Sequence, residues 1–220
     1  MKICILLAIA LMLSCLIIAG MATDGKSGIT AEQAMKKLVE GNARFVSNQV
    51  THPNQAAERR AEVVSGQHPF AIIVGCSDSR VPPEVLFDQG IGDLFVVRTA
   101  GQVMDDVTIG SIEYAAEHLS VPLIVVLGHD ACGAVKATIE GGVAPGHLGS
   151  LVEFIKPAVD SAKASGNESQ LLNNSIDINV RNIVDKLSAA NPILSSKVID
   201  GKLKIVGARY FLSNGAVKFY

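Results

Sequence analysis

The sequence predicts an α/β fold, with a mainly parallel central sheet flanked by helices, a C-terminal antiparallel hairpin and an N-terminal helical arm. Three observations carry this. Apolar runs recur at residues 70–75, 94–98 and 122–128, each the length of a strand covered on both faces. Stretches of helical period separate them, and strands alternating with helical crossovers imply parallel pairing with right-handed connections. The last runs, 203–212 and 216–220, flank Ser213-Asn214-Gly215, a tight-turn signature that reads as a hairpin.

At the start of the chain, Lys2 precedes an apolar run over residues 3–20, which yields to small and polar residues at 21–26. That is the layout of a secretory signal peptide, with Gly20 and Ala22 at the small-residue positions of a cleavage site after Ala22. The run also nears the length of a membrane span, and Cys15 follows Met12-Leu13-Ser14, a loose match to a lipidation motif. Each alternative exports the domain, to the periplasm or the extracellular space. Membrane contact is expected only if the segment stays uncleaved or is lipidated. Residues 23–220 read as a single domain. Its first part, 30–58, is a helical arm and linker: Thr30 to Gln33 suit a helix start, Ala34, Leu38, Phe45 and Val46 form an apolar stripe, and the polar stretch 48–58 contains Pro53.

The strand at 70–75 delivers Cys76, and Pro82-Pro83-Glu84 open a short helix. The second strand, 94–98, leads through an amphipathic helix over 109–119 to the third, 122–128, which ends at His129. Cys132 falls on the first turn of the next helix, where the N-terminal dipole favours its thiolate. Helices follow over 148–164 and 176–190, the second with Ile176, Val180, Ile183, Val184 and Leu187 on one face, and the polar residues 167–174 connect them. Ligands of parallel sheets gather beyond the carboxyl ends of strands, so Cys76 and His129 are expected to meet.

A net charge of −2, no tryptophan and no basic stripe argue against a nucleic-acid surface and point to a small-molecule partner. With Cys4 and Cys15 in the leader, Cys76 and Cys132 remain, and a cysteine pair in an exported protein is first read as a disulfide. Asp78 and Arg80 after one cysteine and His129 before the other instead suit a metal site with outer support. Thiolate and imidazole are donors zinc favours, and three of them leave a position open, as catalytic zinc requires. Asp78 either fills that position, in a closed state, or stands beside it. Arg80 is expected to keep the Asp78 carboxylate ionised and aimed, which makes the two the candidate catalytic pair. Such help is needed, because two thiolates neutralise the charge of Zn²⁺ and leave water there less readily ionised. His52, His68, His118 and His147 read as surface or packing residues.

Cys76-Ser-Asp-Ser-Arg80, His129-x-x-Cys132, the run from Gly92 to Arg98 and Gly207-Ala208-Arg209-Tyr210 resemble, in order and spacing, the β-class carbonic anhydrases, over roughly residues 30–220. The resemblance implies one zinc per chain on Cys76, His129 and Cys132, and reversible hydration of CO2 to bicarbonate and a proton by attack of zinc-bound hydroxide. It implies Gln67 as an amide donor to substrate, with Phe95, Ala100 and Tyr114 lining the pocket. It also implies a homodimer or homotetramer with the pocket at the interface and residues 30–48 reaching onto the partner. Some family members close the site through the aspartate when bicarbonate occupies a side pocket of Trp, Arg and Tyr. Here Arg98 and Tyr210 match but Ile73 stands at the tryptophan position, so an open site is expected near neutral pH. Two alternatives stand beside this: a hydrolase of carbonyl sulfide or carbon disulfide on the same scaffold, decided by pocket shape, and a zinc-stabilised binding or sensing module, which has no use for an ionised Asp78.

Overall fold

A computed structural model describes residues 28–220; the leader and its cleavage site lie outside the described residues. Helix α1 (Ala31–Val46) begins with a capping box, in which the Thr30 hydroxyl accepts from Gln33 N at 3.2 Å and Gln33 Oε1 accepts from Thr30 N at 2.8 Å. Two of the helix's orphan donors are thereby satisfied. Its buried residues Ala34 and Leu38 join Phe70, Leu86 and Phe87, so the arm docks on its own domain. Asn42 fastens it: Nδ2 donates to the carbonyls of Leu86 and Gly215, and Oδ1 accepts from Val217 N.

The stretch expected as a linker is tied down instead. The Asp88 carboxylate accepts from Arg44 Nε, from the Thr51 amide and hydroxyl and from His52 N, at 2.5 to 3.2 Å. Asn54 Nδ2 donates to Asp93, and a short helix α2 (Ala57–Glu62) follows.

Five strands form one sheet: β1 (Ala71–Cys76), β2 (Leu94–Thr99), β3 (Leu123–His129), β4 (Lys204–Tyr210) and β5 (Val217–Phe219), in the order β2-β1-β3-β4-β5. The first four strands run parallel and β5 pairs antiparallel with β4, the hairpin expected from the sequence. Successive side chains point to opposite faces. Ile72, Val74, Ile124 and Val126 pack with Ile112 of α4 (Asp106–His118) and with Val180 and Ile183 of α7 (Leu171–Ser188). Ile73, Val125 and Leu127 face Leu38 and, from α3 (Pro83–Leu86), Leu86. A third cluster joins Cys76 and Cys132 to Val135 of α5 (Gly133–Glu140), Ile155 and Val159 of α6 (Leu148–Ala164) and Ile176.

Some boundaries differ from those expected. Helix α4 starts at Asp106, three residues early, because Asp105 Oδ1 accepts from the Thr108 amide at 2.8 Å, an N-cap that halts fraying. Helix α7 reaches back to Leu171 through polar residues expected to form a connection; Ser175 there turns its hydroxyl onto Leu171 O. A further helix, α8 (Ile193–Ile199), precedes β4. A Cβ on Gly128 would stand 2.6 Å from Val180 Cγ2, so glycine lets α7 lie directly on β3. From β1 the chain moves to β2 on one side, while β3 lies on the other. Strand order thus reverses beside β1, and the crevice at its carboxyl end is where such sheets bind ligands.

Candidate metal centre

Cys76 ends β1, His129 ends β3, and Cys132 caps α5 with extended backbone (φ −64°, ψ 118°) rather than lying within its first turn. The parallel register sets Gly75 beside Leu127, which brings the two strand ends together. Between His129 and Cys132, Ala131 has φ 53°, a left-handed conformation costly for a residue with a Cβ. Asp130 holds that turn, its amide donating to Tyr210 O at 3.2 Å and its Oδ1 accepting from Leu212 N at 2.7 Å. The donor atoms of Cys76, His129 and Cys132 lie within 4.8 Å of one another, and all three residues are buried.

The donor set has the chemistry of a metal site. His129 Nδ1 is 2.9 Å from Asp130 O, which fixes the ring proton there and leaves Nε2 as a bare lone pair. Nε2 is buried with no hydrogen-bond partner among the described residues, an arrangement costly unless an electrophile occupies the space between it and the sulfurs. Three N and S donors with outer support fit zinc. The close approach of the two sulfurs pulls the Cys76 thiol far below the ordinary range, against burial, and, with burial, pushes Cys132 far above it. A metal held there would bind both sulfurs as thiolates.

Beside the cluster, Arg80 grips Asp78 with Nε to Oδ1 at 2.9 Å and Nη2 to Oδ2 at 2.7 Å, and the Arg80 amide adds a third bond to Oδ1 at 2.9 Å. This fork, outweighing burial, holds the carboxyl well below the usual carboxylate range. Oδ2 is 3.9 Å from His129 Nε2, so the carboxylate flanks the donors. Arg80 Nη2 also reaches Ala131 O at 3.3 Å and so joins the two motif turns. Arg98 donates to the carbonyls of Cys76 and Asp78 at 2.7 and 2.6 Å, while Ile73 is buried in the core under α1. Sequence reading missed Gly101, whose N–H donates to Cys76 Sγ at 3.3 Å; a glycine just past a strand was the available signal.

Of the residues proposed for the substrate pocket, Ala100 adjoins the cluster and lines a cavity of about 430 Å³ with Gly133, Ala134, Ala137, Val143 and Leu148. Gln67 is exposed and precedes the amino end of β1, and Cys76 ends that strand, about 17 Å further on at strand rise. Phe95 pairs in register with Ile72 near the amino end of β1, and its ring lies 6.4 Å from that of the half-exposed Tyr114. One chain therefore gathers the three donors, Asp78, Arg80 and Ala100, and leaves Gln67 ahead of the amino end of β1 and Phe95 and Tyr114 together beside β2.

Comparison with known proteins gives consistent matches. A family model described as carbonic anhydrase matches residues 71–217. The chain is 46% identical over 195 residues to a carbonic anhydrase of Mycolicibacterium smegmatis, covering 84% of this chain and 91% of that protein. It is 45% identical over 186 residues to carbonic anhydrase 2 of Mycobacterium tuberculosis, covering 83% and 89%. Among solved structures, a Coccomyxa β-carbonic anhydrase in complex with acetazolamide superposes with a TM-score of 0.69 at 26% identity, over 84% of this chain and 85% of that one. A tetrameric β-carbonic anhydrase from Sordaria macrospora gives 0.67 at 25% identity, over 85% and 96%.

Proposed function

The chain belongs to the β-carbonic anhydrase family, and on that basis we propose that it catalyses the reversible hydration of CO2 to bicarbonate and a proton, with one zinc held by Cys76, His129 and Cys132. The observation that carries this reading is the orphaned His129 Nε2 facing two cysteine sulfurs, next to a carboxylate clamped by arginine. Zinc, when bound, supplies a Lewis acid that makes water a nucleophile near neutral pH. Asp78 accepts the hydrogen of the attacking water at a carboxylate oxygen and turns its lone pair toward the carbon of CO2. Arg80 keeps that oxygen anionic and still, so Asp78 acts as acceptor and leaves the metal position open.

The active unit in this reading is a homodimer or a homotetramer. Among the described residues strand β2 pairs with β1 alone, is only partly buried along its length and carries Phe95 beside Tyr114. An unpaired edge of this kind calls for cover, and a second copy across it lets Gln67, Phe95 and Tyr114 of one subunit serve the site of the other. Export with cleavage after Ala22 belongs to the same proposal and rests on the apolar leader; fractionation that finds the protein in the cytosol alone would overturn it.

Stopped-flow CO2 hydration by the chain from Thr23, with zinc measured on the same sample, tests the reading. Rapid hydration at about one zinc per chain is expected. A zinc-loaded, reduced sample that hydrates no CO2 but hydrolyses carbonyl sulfide would replace it with the sulfur-substrate alternative.

A further inference from the structure

Gly101 lies in a 3₁₀ turn (Ala100–Gln102) that follows β2. Its amide donates to Cys76 Sγ at 3.3 Å, and its carbonyl accepts from Asn179 Nδ2 of α7 at 3.0 Å. These two groups belong to the peptide planes on either side of one Cα. With that residue at φ 65° and ψ 20°, holding the carbonyl aims the amide. Asn179 is 2% exposed and lies 78 residues away in sequence.

The turn has little freedom to respond otherwise. A Cβ on Gly101 would stand 2.6 Å from Ile155 Cδ1 and 3.1 Å from Ala134 Cβ, so α5 and α6 close over the backbone. Gln102, itself at φ 55°, donates through Nε2 to Leu127 O of β3. Thr99 Oγ1 donates to Val103 O at 2.9 Å. Asn179 is the member of this frame that acts on Gly101 directly from α7, the helix that Gly128 lets settle on the sheet.

We propose that Asn179 is a positioning residue for the metal centre, fixing Gly101 so that its N–H draws electron density from the Cys76 thiolate. The proposal rests on the zinc reading above. Two thiolates oppose the positive charge that acidifies water, and a hydrogen bond to one sulfur weakens that opposition, in the way outer partners tune a metal. Asn179 thus works through Cys76 and touches no substrate.

The test uses the full mature chain with Asn179→Ala, the similarly sized Asn179→Leu, which has no donor, and, as a control on the exposed face of α7, Asn182→Ala. Each is loaded with zinc for turnover and with cobalt for spectroscopy. In both Asn179 variants kcat is expected to fall about tenfold at unchanged metal content and helicity. Their sulfur-to-cobalt charge-transfer band should move to longer wavelength, because an unbonded thiolate gives up electron density more easily. Asn182→Ala should change neither. A band that stays in place in a folded, fully loaded Asn179 variant overturns the proposal, and so does a Gly101 amide proton with no through-bond coupling to metal in the wild-type chain loaded with NMR-active cadmium, a measurement independent of how the variants fold. A wild-type enzyme that binds metal without hydrating CO2 would count against the anhydrase reading, while the band and the coupling would still decide the role of Asn179.

Discussion

At the scale of single residues, the charge of the centre is set by pairs. Asp78 is 16% exposed at its side chain and gripped by an Arg80 that is itself 52% exposed. The value of this pair lies in aim and ionisation more than in stability, since exposed ion pairs contribute little. Replacing Asp78 by Asn keeps the shape and removes the anionic acceptor. Asp78→Asn is expected to lower kcat by about 100-fold or more with zinc content unchanged, measured by stopped flow and metal analysis. Full turnover in that variant would remove Asp78 from the chemistry. The motif around Cys76 and His129 was legible because its residues stand close together in sequence. Gly101 and Arg98 were less legible, because their partners are strand-end atoms that only a folded sheet brings to them.

Among the elements, α1 and the segment after it depend on single polar residues that bridge distant parts of the chain. Asn42 makes three buried hydrogen bonds, to Leu86, Gly215 and Val217. Asn42→Ala would strand those backbone groups, at a cost of roughly 2–3 kcal/mol, and urea unfolding should show the midpoint falling at constant slope while zinc binding persists. Asp88 does similar work with a pH dependence. Burial opposes its ionisation, yet Arg44 and the amides of Thr51 and His52 outweigh burial and lower its pKa from 3.8 to about 2. A depressed carboxylate stabilises the fold above its unfolded pKa and loses that contribution as pH falls through the folded one. The stability difference between wild type and Asp88→Asn, near 2 kcal/mol in order of magnitude at pH 7, should therefore shrink between about pH 4 and pH 2. Taking the difference cancels the acid loss of metal common to both proteins. A constant difference across that range would show that the carboxylate charge contributes nothing there.

For the whole molecule, the separation of Gln67, Phe95 and Tyr114 from the donor cluster is the observation that the proposed assembly answers. If a second copy covers β2, a charge on that edge should weaken assembly and activity together. Tyr114→Glu is expected to sediment as a smaller species at micromolar concentration and to lose at least about tenfold in turnover, as outer-site changes do, while retaining zinc and the far-ultraviolet spectrum. An active variant of unchanged size would mean that the site is complete without that edge.

The α/β class, the parallel strands, the closing hairpin and the meeting of Cys76, His129 and Cys132 could all be read from the chain alone. Each of these is written in local patterns: apolar runs of strand length, turn residues and short motif spacings whose direction a parallel sheet dictates. Tertiary structure alone decided that residues 48–56 are anchored on Asp88 and Asp93, that α1 lies on its own domain and that Asn179 reaches Gly101. It also decided that Gln67 stands a strand's length from Cys76. Those outcomes depend on hydrogen bonds and close approaches between residues tens of positions apart, which leave no period in the chain and exist only once the strands and helices have packed.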